Sequence, residues 1–176
     1  DYVRSNFCGS CHQKTFKEWK ATNVEDTCQD CHMPRKKSRL TQKAGFNLLH
    51  KKRWVGDHRF LHGEIKEKDV VMEPGWEENF FIISLKNQTI PHFVPTADNG
   101  DPRLYLYIKF FNEAGEEVDN AKEIIAPQQE TALPYNKKMR YRYRLFDKII
   151  KAEVELKYQP AWSKEKSTVR TETVLR

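Results

Sequence analysis

Residues 138–146 read Lys-Met-Arg-Tyr-Arg-Tyr-Arg-Leu-Phe, and their alternation decides the fold. Successive side chains of a strand point to opposite faces, so Met139, Tyr141, Tyr143 and Leu145 share one face and Arg140, Arg142 and Arg144 the other. The arginine row reads as a solvated strand face. Residues 150–158 repeat the pattern, with Ile150, Ala152, Val154 and Leu156 opposite Lys151, Glu153, Glu155 and Lys157. The short Asp147-Lys148 link makes the two an expected hairpin. Further strands are expected at 79–86 (NFFIISLK), 103–111 (RLYLYIKFF) and 168–175, with NEAGEE at 112–117 as the turn after the second. Alternating strands bounded by turn residues imply an antiparallel sandwich.

Upstream the composition changes. All four cysteines and five of the six histidines precede residue 63. The expected organisation is therefore a cofactor-bearing segment over 1–66 and a β-sandwich-like domain over 67–176, an α+β chain whose short helical and looped part comes first. Within the first part, Cys11 to Ala21 lacks glycine and proline and places Phe16 and Trp19 at i, i+3. A short helix is expected there, with Phe16 and Trp19 on one face and Trp19 laid against the cofactor. Residues 33–49 are basic and polar, with Pro34 directly after Met33, and read as a loop.

The cysteines fall into two copies of C-x-x-C-H: Cys8-Gly-Ser-Cys11-His12 and Cys28-Gln-Asp-Cys31-His32. Two thiols at this spacing can each add to one vinyl group of a haem, and the next histidine then sits beneath the iron as proximal ligand. A four-cysteine zinc site has the same cysteine spacing, but the histidines separate the two readings. Six of 176 residues are histidine, so chance would place one directly after both pairs about once in a thousand sequences. Two covalently attached haem c groups, each holding iron, are the expected cofactors.

Other properties set bounds. No run of about 18 apolar residues occurs, so no transmembrane segment is expected. The start at Asp1, without methionine or a basic, apolar leader, is expected of a chain whose signal has been removed. Covalent haem attachment takes place outside the cytoplasm, so a periplasmic or extracellular location in a prokaryote follows. The haem motifs use every cysteine and leave none for a disulfide. The net charge of +6 invites a nucleic-acid reading. The four propionates of two haems would cut it to about +2, however. The basic clusters Arg35, Lys36, Lys37, Arg39 and Lys51, Lys52, Arg53 flank the motifs, where they would neutralise propionates or steer an acidic redox partner. No nucleic-acid partner is expected.

Each haem iron has a second axial position. His50, His58, His62 and His92 can supply it; Met33, Met72 or Met139, or an open position, are the alternatives. Met33 is disfavoured, because it directly follows His32 and would have to cross to the opposite porphyrin face. His58 and His62, at i, i+4, could also share a helical face as a metal pair.

The stretch FCGSCHQ…W…TCQDCHMPR…DHRF, followed by PHFVPT and RLYLYIKFFNEAGEEV, resembles the last haem segments and C-terminal β-domain of multihaem cytochromes c over residues 6–118. Its most specific pieces are Cys28 to Pro34, the His58-Arg59-Phe60 triplet and His92-Phe93-Val94-Pro95-Thr96. The resemblance implies that His58 and His92 are distal haem ligands. Two departures stand out: Lys20-Ala21-Thr22-Asn23 has no histidine where relatives often carry a Ser-x-His ligand, and Pro91 replaces the glycine before the turn histidine. The first implies that the haem served by that ligand is absent.

The expected function is a dihaem c-type cytochrome carrying single electrons between extracytoplasmic redox protein partners, with no catalytic residues, since no nucleophile and base constellation is present. Two alternatives stand beside it. One is a subunit of a larger cytochrome assembly or self-assembling filament, with haem ligation across subunits, since four spare histidines exceed the two needed. The other is a small haem enzyme, a peroxidase or nitrogen-oxide reductase, with one open iron site.

Overall fold

The computed structural model describes residues 4–39, 41, 43, 45–57, 64–145 and 148–176. Three short helices come first: α1 (Ser5–Cys8), α2 (Gln13–Lys20) and α3 (Cys28–His32). The strands are β1 (Arg35–Ser38), β2 (Arg53–Gly56), β3 (Val70–Glu77), β4 (Phe80–Asn87), β5 (Arg103–Phe111), β6 (Glu117–Ile125), β7 (Lys138–Arg144), β8 (Lys151–Gln159) and β9 (Ser167–Leu175). Every strand pairing is antiparallel. The sheets have the orders β1-β2, β3-β4-β7 and β6-β5-β8-β9. This is the α+β architecture expected, with a β-rich second part.

The larger sheets close on each other through their apolar faces. Phe81, Ile83 and Leu85 of β4 meet Leu104, Leu106, Ile108 and Phe110 of β5 and Ala152, Val154 and Leu156 of β8 in one buried cluster. Phe81 meets Phe110 edge to face across the two sheets, 5.4 Å between ring centres at 86°, a favoured aromatic geometry. The strand faces are those read from the alternation: along β7 the odd positions are half-buried and the arginines exposed.

The hairpin expected of β7 and β8 does not form. β7 pairs with β4, whereas β8 pairs with β5 and β9 in the other sheet. Leu145 and Ile149, on either side of residues 146–147, are both buried. The Leu145 N–H donates to the Asn79 carbonyl and the Ile150 N–H to the Phe111 carbonyl, so each side of the link is tied to a different sheet. Alternation fixes which face a residue takes but leaves the pairing partner open.

The loop expected over 33–49 also contains a strand. β1 pairs with β2 in the register Arg35↔Gly56 to Ser38↔Arg53. Polar contacts hold the pair: Lys36 Nζ lies 2.6 Å from Asp57, and the Lys37 ammonium sits over the Trp54 ring at 5.5 Å. Such a strand has no apolar period to read.

Candidate cofactor site

The two C-x-x-C-H motifs fold as helical turns braced against each other. In the first, the His12 N–H donates to the Cys8 carbonyl at 2.8 Å and the Cys11 N–H to the same carbonyl at 3.1 Å, after which α2 begins at Gln13. Gly9 lets this turn close, because a Cβ there would lie 2.7 Å from the Phe16 ring. The second motif forms α3, whose start is set by a capping box: the Thr27 hydroxyl accepts from the Asp30 N–H and the Asp30 carboxylate accepts from the Thr27 N–H at 2.8 Å. The buried Ser5 hydroxyl accepts from the Cys28 N–H at 3.0 Å, and the Gln29 amide donates to the Arg4 carbonyl at 2.9 Å. The motifs are thus locked together through α1.

The thiols have a distinct environment. Burial, then the neighbouring Cys28 thiol, raises the Cys8 pKa; burial, then Asp26, Asp30 and Cys28, raises that of Cys31. A nucleophilic cysteine needs the opposite shift. Among the described residues no group of three or more His, Cys, Asp or Glu side chains is placed to hold a metal ion, so the four cysteines do not gather into a zinc cluster.

The histidines separate into groups. His58 and His62 lie outside the described residues. His50 is exposed after a 3-10 turn over Phe46–Leu49. His92 lies opposite His32, with ring centres 6.2 Å apart and planes inclined by 25°. A metal–nitrogen bond of about 2.0 Å, plus about 1.2 Å from nitrogen to ring centre, would put two imidazoles on opposite sides of one metal about 6.4 Å apart. The 6.2 Å spacing of His32 and His92 is close to that value. The donor state fits as well. His92 Nδ1 lies 2.9 Å from the Phe93 carbonyl, which can only accept, so Nδ1 carries the proton and Nε2 holds the lone pair. Burial, with a further push from His32, lowers the His92 pKa, which favours the neutral ligand form.

The loop bearing His92 is fixed from two sides. From the sandwich, the fully buried Asn87 amide donates to the carbonyls of Ile90 (2.9 Å) and His92 (2.7 Å), and its oxygen accepts from the Ile90 N–H. From α2, the Glu18 carboxylate accepts from the Phe93 N–H at 3.1 Å and the Thr96 hydroxyl at 2.8 Å. Further along, Asp98 accepts from the Lys14 N–H at 2.8 Å and the Thr15 hydroxyl at 2.9 Å.

The remaining candidates have structural places. Trp19 stacks on Phe16 at 5.6 Å, and its indole N–H donates to the Asp26 carbonyl at 3.0 Å, joining α2 to the turn before the second motif. Met72 is buried in the sandwich core and Met139 packs against it, so neither is free to serve as a ligand. Asn87, Glu18 and Asp98 were not among the residues read from sequence; their contacts span sequence gaps that no local pattern records. The capping box did carry a signal, since Thr27-x-x-Asp30 is its recognised spacing.

No protein-family model matches the chain, and no curated protein matches it in sequence. Among solved structures it is similar to the crystal structure of a penta-heme cytochrome c552 from Thermochromatium tepidum, with a TM-score of 0.63 and 17% identity over 98% of this chain and 56% of that one. A looser likeness, with a TM-score of 0.32 and 10% identity over 62% of this chain and 89% of that one, is to the X-ray structure of Northeast Structural Genomics Consortium target SoR45. The first likeness shows a multihaem-cytochrome-like fold. The chain spans 56% of that cytochrome's length.

Proposed function

We propose that this chain is a dihaem c-type electron-transfer cytochrome, or the dihaem part of a larger one. Cys8 and Cys11 would hold one haem c and Cys28 and Cys31 the other, with His12 and His32 as proximal ligands. His92 would be the distal ligand facing His32, and His58 the distal ligand that the family resemblance supplies for the remaining iron. The observation that carries the reading is the 6.2 Å spacing of His32 and His92. Two C-x-x-C-H turns held side by side support it.

Bound haem supplies a one-electron ferric/ferrous couple. The chain's own residues do the rest. His32 and His92 would present two neutral imidazoles to one iron, a ligand pair that would favour the low-spin state suited to electron transfer. Asn87 and Phe93 fix the orientation of His92, and the Thr27–Asp30 box fixes that of α3. We place the boundary between the haem segment and the sandwich at residues 66 and 67. The location would be periplasmic or extracellular, with acidic redox proteins steered by Arg35, Lys51, Lys52 and Arg53. Lys36 and Lys37 are engaged with Asp57 and Trp54. No described helix is long and apolar enough to cross a membrane.

Optical spectra of oxidised and reduced protein, with carbon monoxide added and haem counted as the pyridine adduct, test the reading. Two haems per chain, low-spin bands and no carbon monoxide shift are expected. A high-spin band that shifts with carbon monoxide would make one iron a reaction site and favour a haem enzyme instead.

A further inference from the structure

The segment from His92 to Asp98 lies along α2 and reaches both motifs. At one end it carries the imidazole opposite His32. At the other, an Asp98 carboxylate oxygen lies 3.7 Å from His12 Nδ1. We propose that Asp98 is a positioning residue for the first haem, its carboxylate orienting and polarising His12, so that one loop sets the distal ligand of the second iron and the proximal ligand of the first. The proposal rests on the reading of His12 and His92 as iron ligands.

The carboxylate has a firm seat of its own. It accepts from the Lys14 N–H and the Thr15 hydroxyl in the first turn of α2, where backbone N–H groups have no partner within the helix. Its side chain is 12% exposed, whereas that of His12 is 48% exposed. A separation of 3.7 Å is longer than a hydrogen bond, so closing it requires the freer imidazole to turn towards the fixed carboxylate. The Lys14 ammonium is directed at the Pro127 carbonyl at 3.3 Å. A histidine bound to iron through Nε2 presents its Nδ1–H outwards, and a carboxylate facing that N–H makes the imidazole a stronger donor. Stronger donation and a nearby negative charge both favour ferric iron, so Asp98 lowers the reduction potential of the first haem. Glu18 clasps the His92 end of the same loop to the same helix, which makes the two ligand environments parts of one braced unit.

A plain helix cap would use the same two hydrogen bonds, and the test separates the roles. Asp98→Asn keeps an acceptor for the Lys14 N–H while removing the charge. Haem is first counted on the unmodified chain; absence of covalent haem there would overturn the cofactor reading itself. With two haems present, each midpoint potential is followed in wild type and D98N by redox titration with electron paramagnetic resonance. The expected result is that one potential rises while the other, and its low-spin signal, stay put. Potentials that both stay unchanged, or rise equally, would overturn the proposal and leave Asp98 a cap or a distant charge. Should D98N fail to mature, nitrogen-15 histidine resonances of the reduced wild-type chain decide. One proximal Nδ1–H displaced from the other and slower to exchange supports the proposal; two equivalent proximal signals overturn it.

Discussion

Residues 4–57 and residues 70–176 hold their shape by different means. Among the described residues, every buried apolar side chain belongs to the second region, from Val70 to Val169. In the first region Ser5 alone is buried, while Leu48 and Leu49 are 74% and 81% exposed and Phe7, Phe46 and Trp54 are more than half exposed. Such a segment is organised by capping, hydrogen bonds and a clasp from the neighbouring loop, and its apolar surface has no protein core to enter. Without further burial the entropy of ordering it would go unmatched. The comparison teaches that the sandwich carries an apolar core of its own, whereas the N-terminal segment leaves its large apolar side chains exposed, surface that the proposed porphyrins would cover.

The hardest test of that contrast is to remove the partner. On the proposed dihaem reading, replacing Cys28 and Cys31 with alanine is expected to cost one haem per chain and nearly all hydrogen-exchange protection around α3, while β5 and β8 stay protected. Equal loss of protection in both regions would show that they fold as one unit. Next in size is the core of the sandwich. Phe110→Ala should cost about 3–5 kcal/mol, the usual penalty for a large aromatic cavity, because Phe110 is fully buried and touches Phe81 and Tyr143. Denaturant unfolding read by far-ultraviolet circular dichroism measures it.

Asn87 sits where the regions meet. Asn87→Ala would strip the His92 carbonyl of the Asn87 donor and leave the Ile90 carbonyl only the His92 N–H, at about 1–3 kcal/mol for the half-buried acceptor left unpaired. On the proposed ligation by His92, it should also weaken the low-spin signal of one haem only. A loss of stability with both haem signals intact would confine Asn87 to the sandwich and sharpen the boundary between the regions.

How much was legible in the sequence follows the same divide. β5 was read with its bounds because nine residues of aromatic and aliphatic alternation have one good use. β3 and β6 were missed: β3 carries Pro74 and Gly75, tolerated because it pairs on one side alone, and β6 is an edge strand whose first seven residues are mainly polar. The β7–β8 hairpin misled because alternation carries no information about pairing. In the first region the motifs stood out because attachment chemistry fixes residue types at fixed spacing, a constraint stronger than any propensity. The opposition of His32 and His92 was not legible, since they lie 60 positions apart and come together through long-range contacts, α3 braced on α1 and the Asn87-held loop clasped to α2.

The capping box should matter less than Asn87. Thr27→Ala removes the hydroxyl from the start of α3 and is expected to cost about 1 kcal/mol, seen as a lower melting temperature with two haems retained. The box also carries a pH signature. Hydrogen bonds from the Thr27 hydroxyl, then from its N–H, hold the Asp30 carboxyl below its ordinary value of 3.8. With the folded pKa depressed, the contribution is fully present above that ordinary value and is lost as pH falls through the lower folded one. In T27A this acid-side loss should be smaller.

The smallest effect is expected on the outer face of the sandwich. Lys138 of β7 meets Glu73 of β3 at 2.5 Å, and Arg140 meets Glu77, each pair reaching across the central strand β4. All four side chains are more than half exposed, so water screens them and ordering two long side chains offsets part of the attraction. Lys138→Ala should shift stability by less than about 0.5 kcal/mol, less still at high salt. A loss above about 1 kcal/mol, erased by salt, would mean that this charge lattice and not the core aligns the two edge strands. The sandwich would then depend, as the N-terminal segment does, on polar contacts to set its geometry, and the contrast between the two regions would fail where it is drawn most firmly.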